Sequence, residues 1–442
     1  MGACGVFAVR EALRAPEPAQ RAAVVPTQAA GPRPAEAPPP PTTLAAPRRV
    51  VEVPVEAGIP ATDHDAALQL STKINNRQPI GLSDLRIAED LYARYAQEPK
   101  LRDLLVASLL TLAAQERAQH RLPEAAAYVR RAITLNAEEA SVRVALMDVL
   151  IEAGDWGAAE GAGREALRLM PRDRGVLEGI AYSLFRQDRN REAAEYYWAV
   201  VELGGSPTAR GYLDRIQKNL GDERGMTEQR LSHFHVRYDG EEHDDIGHEI
   251  LRVLERHFAT LTTTFDHQLG EPVPVILFSQ QGYYNASGAP AWSGGVFDHT
   301  DGRIRVPIGG LTSALTPDME QTLIHELTHA FINDRGRGLA PREVHEGMAQ
   351  YMEGKRLSAM LSDAQMRALA DGRLQGVGGF YLQALCFAEY LMSVRGQGGV
   401  NEVLKALADT GSVDDAFRQV YGQDYVATRQ LWWKHFRQQY GS

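Results

Sequence analysis

The chain has 442 residues, 44% of them apolar and 24% charged, which allows two or three domains with sizeable cores. A formal net charge of −10 excludes a general nucleic-acid binder, because no basic excess exists to offset phosphates. The two cysteines, Cys4 and Cys386, lie far apart, which excludes a disulfide framework and a thiolate metal site. No apolar run reaches the roughly 18 residues that cross a bilayer, so no membrane-spanning segment is expected.

Residues 1–62 come first and read as a disordered Pro/Ala-rich tether. Twelve of the 23 prolines fall between Pro16 and Pro60, including Pro38 through Pro41. Such a stretch lacks backbone donors for regular structure and apolar surface to offset its ordering entropy. Met1–Arg10 has neither the basic region nor the apolar region of a signal peptide. Met1-Gly2-Ala3-Cys4 resembles the tail of a bacterial lipoprotein cleavage box, which would make Cys4 a lipidation site if the true start lies upstream. That reading leans towards the bacterial cell envelope. The plainer one, a cysteine without function in a disordered start, leaves a cytoplasmic location open.

Residues 63–228 read as a helical repeat domain. Ala125, Ala159 and Ala193 stand 34 residues apart, and Ala132, Ala166 and Val200 follow at the same interval. Ala137, Pro171 and Gly205 come next, where each helical hairpin should break. The 34-residue period resembles the tetratricopeptide repeat, with small residues where paired helices cross. The match covers three repeats over about residues 103–205, with some large consensus residues absent. Helices near Leu82–Ala96 and Thr208–Leu220 are expected to cap the stack. A stack of this kind offers a concave surface for a peptide or a partner protein.

Residues 229–442 change character. Phe234–Tyr238 alternates apolar and polar residues as a half-buried strand does. An amphipathic helix follows through Ile246, Ile250, Val253, Leu254, Phe258 and Leu261. Val273–Phe278 reads as a second strand, and short strands are expected around Gly295–Phe297 and Arg303–Pro307. The remainder is helical, giving an α+β pattern.

One of these helices carries chemistry. Thr316 can cap it, Pro317 suits its first turn, and Asp318 and Glu320 complement its positive end. Along it runs His325-Glu326-Leu327-Thr328-His329. Four residues are about one helical turn, so both imidazoles leave one face and can bind one ion, with Glu326 beside them. A third ligand is then needed. The metzincin pattern is excluded, because Ile332 and Arg335 stand where it requires Gly and His. A second helix starting at Pro341 carries His345-Glu346-Gly347-Met348-Ala349-Gln350-Tyr351. Glu346, 17 residues past His329 on an antiparallel helix, can face both imidazoles as the third ligand, with His345 beside it as the alternative.

HELTH followed by E-G-x-A-x-Y resembles the gluzincin metallopeptidases, closest to the bacterial peptidase MA-like domains. His233–Tyr238 matches the H-F-x-V-x-Y strand that opens those domains, and the resemblance spans about residues 231–438. It implies a thermolysin-like fold and one Zn2+ held by His325, His329 and Glu346. It further implies that Glu326 is the catalytic base and Tyr381 an oxyanion donor. The expected activity is hydrolysis of peptide or protein substrates. The glutamate that binds a free amino terminus in aminopeptidases has no counterpart in Gly295-Val296-Phe297-Asp298, which favours an endopeptidase. Two further readings stand beside it: an inactive scaffold that binds partners through its repeats, and a structural zinc protein. His233 and His235 read as structural or surface residues. Asp244-Asp245 and Asp298-His299 need no function. No phosphate-binding pattern is seen around Gly372 and Gly376–Gly379, and Cys386 reads as core.

Overall fold

A computed structural model describes residues 51–52, 59–238, 244–287, 294–308 and 315–441. Most of the expected tether, including Cys4, lies outside the described residues. The chain divides into two compact units, with the division between Gln217 and Lys218 rather than after residue 228.

Every secondary-structure element among the described residues of the first unit is a helix. Helices α1 (Ala61–Asn75), α2 (Leu82–Arg94), α3 (Pro99–Ala118), α4 (Leu122–Leu135) and α5 (Ala140–Ala153) are followed by α6 (Trp156–Leu169), α7 (Arg174–Arg186) and α8 (Asn190–Glu202). Helix α9 (Pro207–Asp222) begins in this unit and ends in the next. Helix α1 starts at Ala61, slightly inside the segment expected to lack structure. Ala125, Ala159 and Ala193, with Ala132, Ala166 and Val200, are completely buried, so the period seen in sequence marks packing positions. Asp155 and Asp173 cap α6 and α7 by accepting from the Ala158 and Val176 amides. Gly154 closes α5 in the left-handed conformation that suits glycine there. The unit is a repeat-like series of helical hairpins.

A five-stranded mixed sheet organises the second unit. Its strands are β1 (Thr227–Arg230), β2 (Phe234–Tyr238), β3 (Val273–Phe278), β4 (Val296–Asp298) and β5 (Arg303–Pro307), in the order β1-β2-β3-β5-β4. Strands β2, β3 and β5 are parallel, and the edge strands β1 and β4 pair antiparallel. The parallel pairs need crossovers, supplied by α10 (Asp244–Phe265) and α11 (Gln280–Ser287). Neither β1 nor α11 was expected. Thr-Glu-Gln-Arg carries no apolar alternation and is held by its pairing to β2. Strand β5 is buried on both faces, arginines included. Arg305 pairs with Asp301 (2.6 Å) and with Asn219 (3.2 Å), and Arg303 pairs with Glu223. Removing one partner from such a buried network costs about 3–5 kcal/mol.

Helices α12 (Pro317–Arg335), α13 (Arg342–Met352), α14 (Leu357–Met360), α15 (Asp363–Ala370), α16 (Gly376–Thr410), α17 (Val413–Tyr421) and α18 (Tyr425–Tyr440) follow. Leu323, Leu327 and Phe331 of α12 join Ile250, Leu254 and Phe258 of α10 and Met348 of α13 in one core. Helix α16 is long and apolar enough to cross a membrane, but 56% of that stretch is buried within the unit, and Gly396 breaks the helix. Cys386 lies on it, accepting from Trp432 Nε1 at 3.2 Å, and burial pushes its thiol up to about 12.

Candidate metal centre

Helix α12 begins where its cap dictates. Thr316 accepts from the Met319 amide, and Pro317 occupies the first turn. A helix fixed at that end presents His325 and His329 together, with ring centroids 4.8 Å apart. Helix α13 then brings Glu346 against both. Glu346 Oε2 lies 3.6 Å from His325 Nε2 and 3.6 Å from His329 Nε2.

These separations are too long for hydrogen bonds. They match two ligands of one tetrahedral ion, whose bonds of about 2.0–2.1 Å put donor atoms about 3.3 Å apart. His325 Nε2 and Glu346 Oε2 are buried and have no hydrogen-bond partner among the described residues, although buried polar atoms normally have one. Two imidazole nitrogens and a carboxylate oxygen are also the donor set that zinc takes. The three buried residues therefore form a group able to hold a metal ion.

His345 is elsewhere. Its Nδ1 lies 3.4 Å from Nδ1 of His329, the nitrogen on the side of the ring away from Nε2. Burial, with His299 and His329 nearby, lowers the His345 pKa well below the usual histidine range. A neutral His345 can accept from His329 Nδ1–H and leave His329 Nε2 free to bind. His299, exposed at the end of β4, meets His345 edge-on at 4.8 Å and His329 at 6.1 Å. The turn that needed no function in sequence thus stands beside the centre.

His325 has a charged neighbour. His325 Nδ1 lies 3.2 Å from Glu353 Oε1. Burial opposes a charge on His325, but Glu353 and Glu346 outweigh it and raise the ring to about 9. Burial would likewise raise the Glu346 carboxyl, yet His325 and His329 hold it well below its ordinary value. Spacing alone did not reveal Glu353. Its contact with His325 spans 28 residues and depends on how α12 packs against α13.

Glu326 is completely buried. The Phe297 amide of β4 donates to its Oε2 at 2.7 Å, and its Oε1 has no hydrogen-bond partner among the described residues. Gly295 permits this approach. A Cβ there would lie 2.9 Å from Thr322 Cγ2 and 3.3 Å from Glu326 Cγ. Tyr381 is also fully buried, on α16. Gln350 Nε2 donates to the Tyr381 carbonyl (2.9 Å) and to that of Glu346 (3.0 Å), tying α16 to α13. His233 stacks on Phe258 at 4.0 Å and meets Glu255 at 2.7 Å, a structural arrangement.

No protein-family model matches the sequence, and none of the curated proteins matches it.

Proposed function

We propose that the second unit is a zinc-dependent peptidase of the gluzincin type, with a thermolysin-like fold, that cleaves within peptide or protein chains. The observation that carries this reading is the convergence of His325 Nε2, His329 Nε2 and Glu346 Oε2 beside the unpartnered Glu326 Oε1. A structural site would close the coordination sphere with a fourth protein donor. Here the group among the described residues has three. His325, His329 and Glu346 would hold a zinc ion, which would supply Lewis acidity towards a substrate carbonyl and a water molecule of lowered pKa.

The remaining chemistry belongs to the chain. Glu326 accepts the proton of the attacking water at Oε1 while the Phe297 amide steadies Oε2, then returns that proton to the leaving amine. Edge strand β4 is antiparallel to β5 and adjoins the centre through Phe297, which suits it to align an extended peptide. Tyr381 enters through the family resemblance, as a donor to the carbonyl oxygen when it gains charge. The first unit, read as tetratricopeptide-like repeats, recruits the substrate or a partner protein.

Cleavage of an unfolded protein such as casein tests the proposal. Wild-type protein should cleave it, a chelator should stop the reaction, and Glu326→Gln should lower the rate by at least about a hundredfold. Cleavage that survives both the chelator and the substitution would overturn it.

A further inference from the structure

We infer that Glu353 is a positioning residue of the metal centre: it holds His325 with Nε2 turned towards Glu346, and Lys355 holds Glu353 in place. This rests on reading the centre as a metal site.

Glu353 has a completely buried side chain. Its Oε1 lies 3.2 Å from His325 Nδ1 and forms an ion pair with Lys355 Nζ at 2.6 Å, a contact without hydrogen-bond geometry, whereas among the described residues its Oε2 has no hydrogen-bond partner. Burying a carboxylate is costly unless its partners compensate. Both partners lie on one oxygen, the one aimed at the ligand histidine. An imidazole that donates from Nδ1 presents a lone pair at Nε2, the atom 3.6 Å from Glu346 Oε2.

The backbone is built to deliver this pair. Glu353 is the C-cap that follows α13, and Gly354 comes next with φ 90°. The Gly354 amide donates to the Tyr351 carbonyl (3.2 Å) and the Lys355 amide to that of Gln350 (3.1 Å). These two bonds form a Schellman turn, which needs the left-handed residue that glycine supplies. The turn folds Lys355 back over the helix end, where its ammonium reaches Glu353. The same helix and its cap therefore carry the third ligand, Glu346, and the residue that aims the first, His325. The outer nitrogen of His329 faces His345, and among the described residues no comparable anion stands on it.

The test is the zinc dissociation constant, read by chelator competition on the full chain. Cobalt(II) absorption reports site geometry, and the melting temperature of metal-free protein reports the fold. Glu353→Gln should weaken zinc about 10–100-fold and alter the cobalt bands. That substitution leaves Lys355 without its anion. The double variant Glu353→Gln/Lys355→Met removes the stranded charge, and should melt near wild type while keeping the loss of affinity. Zinc binding within threefold of wild type in the double variant, with wild-type cobalt bands, would overturn the inference and leave Glu353–Lys355 as a structural ion pair. Wild-type protein that binds no zinc would overturn the metal-site reading itself, a result visible before any variant is made.

Discussion

Gly347→Ala should dismantle the metal centre without touching a ligand. Helices α13 and α16 meet at this glycine. A Cβ built on it would lie 2.1 Å from the Ala384 carbonyl oxygen, 2.8 Å from the carbonyl carbon and 3.0 Å from Ala388 Cβ. Ordinary contact begins near 3.4 Å, so the closest approach must open by 3.4 − 2.1 = 1.3 Å. The obstacle is helix backbone, which cannot rotate aside as a flexible side chain can, so the two helices must part. Glu346 is the adjacent residue on α13 and moves with it. Metal sites tolerate displacements of about 0.2 Å. Zinc affinity should therefore fall by about a hundredfold or more, with a stability loss of about 1–3 kcal/mol from overpacking. Chelator competition measures the first effect and thermal melting of metal-free protein the second. Gly161→Ala serves as the control, since a Cβ there meets nothing within 4 Å inside α6. It should stabilise the protein by about 0.5–1 kcal/mol and leave zinc binding unchanged. If Gly347→Ala kept wild-type zinc affinity and melting temperature, the close approach of α13 and α16 would not be what positions Glu346.

Tyr381→Phe should lower kcat by about a hundredfold while KM and zinc content stay near wild type, as expected for a donor that acts only in the transition state; an unchanged kcat would remove Tyr381 from the mechanism. Glu178→Gln should raise the melting temperature of the first unit at pH 7. Burial raises the Glu178 carboxyl above its ordinary 4.5, so its ionisation destabilises the fold as pH climbs through the raised value. The advantage of glutamine should therefore shrink on acidification and vanish below 4.5. A difference that is constant with pH would show that Glu178 acts through packing instead.

The site was legible in sequence to the extent that it is local. His325, Glu326 and His329 lie within one turn of a helix whose cap, Thr316, is written beside it. The choice between Glu346 and His345 was not local. Adjacent helix residues point about 100° apart, and only the packing of α13 against α12 and α16 decides which of them faces the imidazoles. Gly347 shows why the motif carries a glycine there, a constraint set by a helix some forty residues away. Glu353 and His299 escaped for the same reason, since both reach the centre through tertiary contacts. In the sheet, β2 and β3 were readable from their apolar patterns. Strand β1 was hidden because an exposed edge strand needs no apolar face. The burial of Arg303 and Arg305 on β5 depends on Glu223, Asp301 and Asn219, which only the fold assembles. The repeat unit was legible because its signal is a period of small residues, and these lie buried where helices cross.

Metal stoichiometry in ligand variants tests the central claim most directly. Zinc should be measured by mass spectrometry on protein purified without chelators, as wild type, Glu326→Gln, Glu346→Ala and His345→Ala. About one zinc per chain is expected in wild type and in Glu326→Gln, near-complete loss in Glu346→Ala, and zinc retained with weaker affinity in His345→Ala. Wild-type protein without zinc, or zinc that depends on His345 and not on Glu346, would contradict that claim.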